Sequence, residues 1–158
     1  MEFLGPNLQQ LFQYCGKQRF TLGTVCLLAM QIINRIEIVH KKHYLHRNIN
    51  PDNICIGNDD KTNIIILKNY GQSKRFKNDK TNQQIPYRES KPFIGNSLYA
   101  SVNAHLGVEL SRRDDLISIG YILIYFLKGF LPWNDTKIKG DDRLAKIMEK
   151  KINISNEL

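Results

Sequence analysis

At 158 residues with 42% hydrophobic content, the chain has room for one continuous core and too little for two ordinary domains. Its 23 Lys and Arg against 15 Asp and Glu leave a net charge of +8, which favours anionic partners: acidic or phosphorylated protein surfaces, or nucleic acid. The basic residues are spread along the chain rather than gathered into a tail, so charge reads first as a solvated surface and does not choose among those partners.

The opening MEFLGPNLQQLF has no basic region followed by an apolar run and a small-residue cleavage site, so it does not read as a secretory signal. Residues 7–14 predict a short helix, with Gly5-Pro6 as its breaker and Gly16 as its stop. Thr21 then fits a helix cap, and Leu22, Val25, Cys26, Ala29, Ile33, Ile36 and His40 recur at spacings of three and four, predicting a long amphipathic helix to residue 42. Two β-branched runs, 53–56 and 63–67, flank the turn-rich GNDDKT and predict an antiparallel hairpin. Residues 72–92 are polar and basic with no sustained period, a loop long enough to suggest a working role. The span 114–130, containing LISIGYILIYFL, is apolar on nearly every face and predicts a helix buried at the centre of a helical domain, ended by Gly129 and Pro132. A charged, weakly amphipathic helix over 141–151 follows. The run 116–127 is broken by Ser118 and Gly120 and is too short to span a bilayer, so no membrane partner is expected. Cys15, Cys26 and Cys55 are odd in number, far apart and set in apolar stretches, the pattern of reduced, buried thiols in a cytoplasmic protein.

One string carries chemistry. His46-Arg47-Asn48-Ile49-Asn50-Pro51-Asp52-Asn53 stands directly after the long helix and before the first short strand, and its form resembles the protein-kinase catalytic loop H-R-D-x-x-x-x-N. Sixteen residues past Asn53 lies Asn69-Tyr70-Gly71, where a kinase carries the metal-binding D-F-G. Farther on, IPYRE at 85–89, GNSLYASVNAHLG at 95–107 and SRRDDLISIGY at 111–121 are similar to the casein kinase I family, in order and with the expected gaps, over almost the whole chain.

That resemblance implies a mainly α fold: the helical C-terminal lobe of the α+β kinase architecture, with a small β-hairpin, across 1–158. It puts a catalytic-loop equivalent at 46–53, an activation-segment equivalent at 69–103 and a central buried helix at 114–130. The N-terminal lobe, with its glycine-rich loop, lysine and glutamate, is expected to be absent. Residues that build the fold match the family: His46, Arg47, Pro51, Gly71, and Asp115, whose carboxylate in kinases receives hydrogen bonds from the catalytic-loop backbone.

The departures fall on the chemistry. Asn48 occupies the place of the catalytic aspartate; an amide keeps the shape but has no basic oxygen at neutral pH, a loss of roughly 10²- to 10⁴-fold in rate. Asn69 replaces the metal-binding aspartate beside the retained Asn53, leaving the motif without formal negative charge, whereas Mg²⁺ prefers carboxylate oxygens. Asn50 stands where the family has a lysine that neutralises the transferring phosphoryl group. Tyr70 replaces the usual phenylalanine, and Leu98 falls where the family carries an anion-holding arginine.

The expectation is therefore a catalytically inactive pseudokinase with no cofactor, serving as a binding or structural component of a larger protein assembly. Lys74, Arg75, Lys77, Arg88 and Lys137 would offer a basic docking face, and a partner chain would cover the apolar surface that an isolated lobe leaves open. The cytoplasm is the expected location; cytoskeletal association is a further option with no direct sequence signal. An alternative is a fragment of a serine/threonine kinase that uses Mg-ATP on acidic proteins. A second is a nucleic-acid binder acting through Lys74, Arg75, Lys77 and Lys80, with Tyr87 and Arg88 nearby; a basic activation segment accounts for these residues better. His40, His43 and His46 sit three apart, yet His43 lies near the helix end and His46 belongs to the loop, which disfavours a metal cluster.

Overall fold

A computed structural model describes residues 3–16, 19–134 and 142–154. Asn7 begins the first helix: its side chain accepts the Gln10 N–H at 2.8 Å while the Gln10 side chain accepts the Asn7 N–H at 2.9 Å. This reciprocal cap satisfies donors that α1 (Leu8–Tyr14) cannot satisfy internally. Thr21 caps α2 (Leu22–Lys41) by accepting from the Thr24 N–H at 3.2 Å.

Two small antiparallel ribbons follow. β1 (Tyr44–Leu45) pairs with β4 (Lys74–Arg75), and between them β2 (Ile54–Ile56) pairs with β3 (Ile65–Leu67) in the register Ile54 to Leu67. The outer ribbon closes the chain on itself, so that residues 46–73 form one loop tied at its base. After α3 (Val102–His105) comes α4 (Arg112–Lys128), and α5 (Asp142–Ile154) ends the described chain.

The core forms where α4 lies against α2. Val25, Ile32 and Ile36 of α2 meet Ile119, Ile122 and Phe126 of α4, with Leu8 and Phe12 of α1 closing one end. The Phe12 ring stands 5.1 Å from Phe20 and 5.3 Å from Phe126, aromatic spacing that adds to the area buried.

Several expectations need correction. The central helix runs over 112–128 rather than 114–130, because the Asp114 carboxylate reaches back to accept the Ser111 N–H at 2.7 Å and draws Arg112 and Arg113 into the first turn. Gly129, at φ 84, stops it with its N–H on the Tyr125 carbonyl. It is not buried on every face, since Leu116 is 48% exposed. On α2, Leu22, Cys26 and Ile33 are exposed rather than buried, because α4 covers only the line through Val25, Ile32 and Ile36. Of the three cysteines only Cys55 is buried; Cys15 and Cys26 face outward. By length and composition α2 is also apolar enough to cross a membrane, a property the sequence reading did not assign to it. The stretch 72–92 is not wholly irregular, for β4 and a bridge between Lys77 and Gln84 fold it back, with the Ile85 N–H on the Phe76 carbonyl at 2.9 Å. The helix α3, capped by the Ser101 side chain, was not expected, and α5 continues past 151 to Ile154.

Candidate functional site

Asp115, in the first turn of α4 and 3% exposed, holds the loop that follows β1. Its Oδ2 accepts the His46 N–H at 2.9 Å and His40 Nε2–H at 2.8 Å, and its Oδ1 accepts the Arg47 N–H at 2.9 Å. One buried carboxylate thus satisfies three donors, and the donors in turn compensate it for the loss of water.

Its neighbour Asp114 faces the other way. Its oxygens accept from Ser101 Oγ at 2.7 Å, Asn103 Nδ2 at 3.1 Å and the Ser111 N–H at 2.7 Å, tying α3 to α4. The sequence reading passed over Asp114, although Ser111 followed three residues later by an acid was a visible capping signal.

The loop begins with His46, fully buried, whose Nε2–H donates to the Lys68 carbonyl at 3.1 Å while Nδ1 accepts the Asn48 N–H at 3.3 Å. The Nδ1 contact requires the neutral ring, since a protonated one has no acceptor nitrogen. Burial holds its pKa below the ordinary histidine value, outweighing the Lys68 carbonyl and Asp115, which pull it up. Arg47 takes left-handed backbone at φ 64 and donates from Nε to the Gln72 carbonyl at 2.6 Å, linking the loop to the turn Tyr70–Gln72. Gly95, at φ 101, passes so close that a Cβ there would lie 2.7 Å from the Arg47 carbonyl, so this position demands glycine. Gly71 meets no such demand: a Cβ there would find only Asn69 Oδ1, at an ordinary 3.8 Å.

Four asparagines fill the centre. Asn50 Nδ2 donates to Asn48 Oδ1 at 2.9 Å, Asn53 Nδ2 donates to the Asn48 carbonyl at 2.9 Å, and Asn69 Nδ2 donates to Asn53 Oδ1 at 3.3 Å. Asn50 Oδ1 in turn accepts the Asp52 N–H, capping the turn Pro51–Asn53. The amides bond to one another and to the loop backbone, and none can carry charge or take a proton at neutral pH. A divalent cation such as Mg²⁺ would have Asn53 and Asn69 as its motif donors, two neutral amides already joined by a hydrogen bond; this donor set does not fit a hard cation that dehydrates reluctantly.

The three spaced histidines go to separate partners: His40 to Asp115, His46 to Lys68, and His43 to Asp79 at 2.7 Å. Among the described residues no group of three or more His, Cys, Asp and Glu comes together that could hold a metal ion.

The basic residues of 72–88 do not form one free face. Lys74 Nζ lies 2.7 Å from Glu109, whose other oxygen is 3.9 Å from Lys91, and Arg75 pairs with Asp79 while covering the Tyr44 ring. Lys77 and Arg88 stand apart from that pairing, and Lys137 lies outside the described residues. Leu98 packs half-buried against the core, and its carbonyl accepts the Trp133 indole N–H at 2.8 Å.

Lys151 was missed entirely. It is 2% exposed, donates to the carbonyls of Ser97 and Ala100, and lies 5.1 and 5.3 Å from the Tyr121 and Trp133 rings. Burial pulls the ammonium down to about 7, and the adjacent His105, 3.3 Å away, falls to about 4 through its own burial and the Lys151 charge. Ile147 and Lys151 share the inner face of α5, the one hint the sequence held. With that geometry in place, comparison with known families returns a match to the protein kinase domain over residues 1–157.

Proposed function

The chain belongs to the protein kinase domain family, and from that premise we propose that it is a casein kinase I-like pseudokinase lobe that binds rather than catalyses. The observation that carries this reading is the asparagine quartet. Asn48, where a base would stand, accepts from Asn50, and Asn53 and Asn69, where metal ligands would stand, are engaged with each other. A site built this way offers a phosphoryl group neither a proton acceptor nor a fixed anionic grip on its metal.

The scaffold beneath the quartet is intact, with Asp115 holding the loop and Arg47 joining it to the Tyr70–Gln72 turn. A kept frame with neutral chemistry supports a role in which shape is used and turnover is not. We read residues 46–53 as the catalytic-loop equivalent, 69–103 as the activation-segment equivalent and the described helices as the C-terminal lobe. In this reading the chain is a component of a larger cytoplasmic protein assembly. Docking falls to Lys77 and Arg88 more than to Lys74 and Arg75, which are neutralised within the chain.

A thermal-shift titration tests the proposal. The purified chain should show no shift in melting temperature with Mg-ATP, whereas a saturable shift of several degrees would contradict it. The serine/threonine kinase alternative keeps one supporting observation, the fully formed loop itself, and it predicts that shift.

A further inference from the structure

Lys151 turns inward from α5 and ends among groups from three other parts of the chain. Its Nζ lies 2.8 Å from the Ser97 carbonyl and 2.5 Å from the Ala100 carbonyl, with His105 Nε2 of α3 at 3.3 Å. The rings of Tyr121 on α4 and of Trp133 stand over it. Among the described residues no carboxylate pairs with Lys151; Asp114 of α4 spends its oxygens on Ser101, Asn103 and Ser111. The charged neighbours on α5 itself, Lys146 and Glu149, are exposed.

His105 decides which form of the amine this seat fits. Its Nε2 is 3.2 Å from the Ser97 carbonyl, where an N–H is attracted and a bare lone pair is repelled. With Nε2 protonated, Lys151 must turn a lone pair to the ring, and only the neutral amine has one. That amine donates to the two carbonyls and accepts from His105, which uses both of its N–H groups and its lone pair. An ammonium in the same place needs Nε2 as an acceptor, and the ring proton must then sit on Nδ1. This nitrogen is buried and meets no hydrogen-bond partner among the described residues, so its N–H would be orphaned. The Phe93 ring, 5.0 Å from the imidazole, packs against the histidine in this orientation. Burial adds to the mismatch, drawing the ammonium down to about 7 against the pull of the two rings. The Tyr121 hydroxyl is pushed up by burial.

We propose that Lys151 and His105 form a proton-linked latch: α5 seats most firmly on residues 97–105 when the amine is neutral, and proton uptake loosens both the helix and that segment. Away from the seat the amine keeps its proton up to 10.5, so between 7 and 10.5 the loosened state binds more protons and seating strengthens as pH rises. Below 6.5 His105 acts in the same direction, because the loosened chain protonates it before the seated one does. Neither group belongs to the asparagine quartet, so the latch stands whether or not catalysis is lost.

The test measures amide hydrogen exchange in the full chain from about pH 7.5 to 9.5, with each rate divided by its intrinsic value. Peptides from α5 should gain roughly tenfold protection per pH unit while staying less protected than α2 and α4, the mark of local opening. Trp133, the single tryptophan, supplies a second readout, since its emission should titrate with a midpoint near 7. Lys151→Met should abolish both signals. His105→Leu should raise the Trp133 midpoint by about one pH unit, because an ammonium then orphans no ring N–H; a histidine that only fills space would leave it in place. Flat protection in α5, an unchanged slope in Lys151→Met, or an unmoved midpoint in His105→Leu overturns the proposal. So does exchange of α5 only together with α2 and α4. Circular dichroism checks that the variants fold, and the unmodified chain decides alone if they do not: no Trp133 midpoint between about pH 6 and 9 overturns the latch.

Discussion

Two polar regions meet in the loop after β1, and they are built from opposite materials. Beneath it, Asp114 and Asp115 keep their carboxylates fully buried, and every oxygen accepts from a donor of the frame. Above it, Asn48, Asn50, Asn53 and Asn69 bring no charge and hydrogen-bond mainly with one another. The contrast separates two uses of a carboxylate. Where the task is to accept N–H protons from a backbone that has no other partner, an amide with one oxygen would fall short, and aspartate stands. Where the task would be to move a proton or grip a cation, amides stand and the fold does not suffer for it.

The sharpest way to break this comparison is to exchange the two regions' chemistry. Asp115→Ala leaves two loop N–H groups and His40 without an acceptor, and should cost about 3–5 kcal/mol in urea unfolding. Asp114→Ala, which frees Ser101, Asn103 and Ser111, should cost about 2–4 kcal/mol. A loss under about 1 kcal/mol for Asp115→Ala would mean that the loop is held by something else.

Lys151 sharpens the account from the other end of the fold. The unfolded chain keeps this proton up to 10.5, while the folded chain releases it at about 7, so between these values the unfolded state binds more protons and stability rises with pH. At roughly 1.4 kcal/mol per pH unit, that window makes the rise a few kcal/mol, at most about 5 kcal/mol. Lys151→Met should remove the slope in unfolding midpoints measured from pH 7 to 10; an unchanged slope would place the ammonium in a wetter site.

On the acid side, His46 and His105 have folded pKa values held below 6.5, so the unfolded chain protonates first and stability falls as pH drops below 6.5, for His105 down to about 4. His105→Phe should flatten part of that decline by up to about 1.4 kcal/mol per pH unit. The smallest effect is expected at the quartet: Asn48→Asp should change stability by less than about 1 kcal/mol, since Asn50 Nδ2 finds an oxygen in either residue.

How much of this was legible in the sequence depended on distance along the chain. The cap at Thr21, the period of α2 and the hairpin of β2 and β3 are local, and their residues announce them. Which face of α2 is buried was not local: the helix is apolar around much of its circumference, and only the position of α4 selects Val25, Ile32 and Ile36. For the same reason Cys26 looked buried and is exposed. Lys151 sits in a charged helix and reads as solvated until residues 97 and 100 and two distant rings close over it. The four asparagines were legible because a motif spaces them, whereas their bonds to one another, and the Glu109 pairing that consumes Lys74, belong to the folded chain.

The central claim is tested most directly by incubating the purified, unmodified chain with radiolabelled Mg-ATP and an acidic protein such as casein, under single-turnover conditions. The account predicts labelling no faster than a blank without the chain, and labelling at an ordinary kinase rate of about 1–100 s⁻¹ would contradict it.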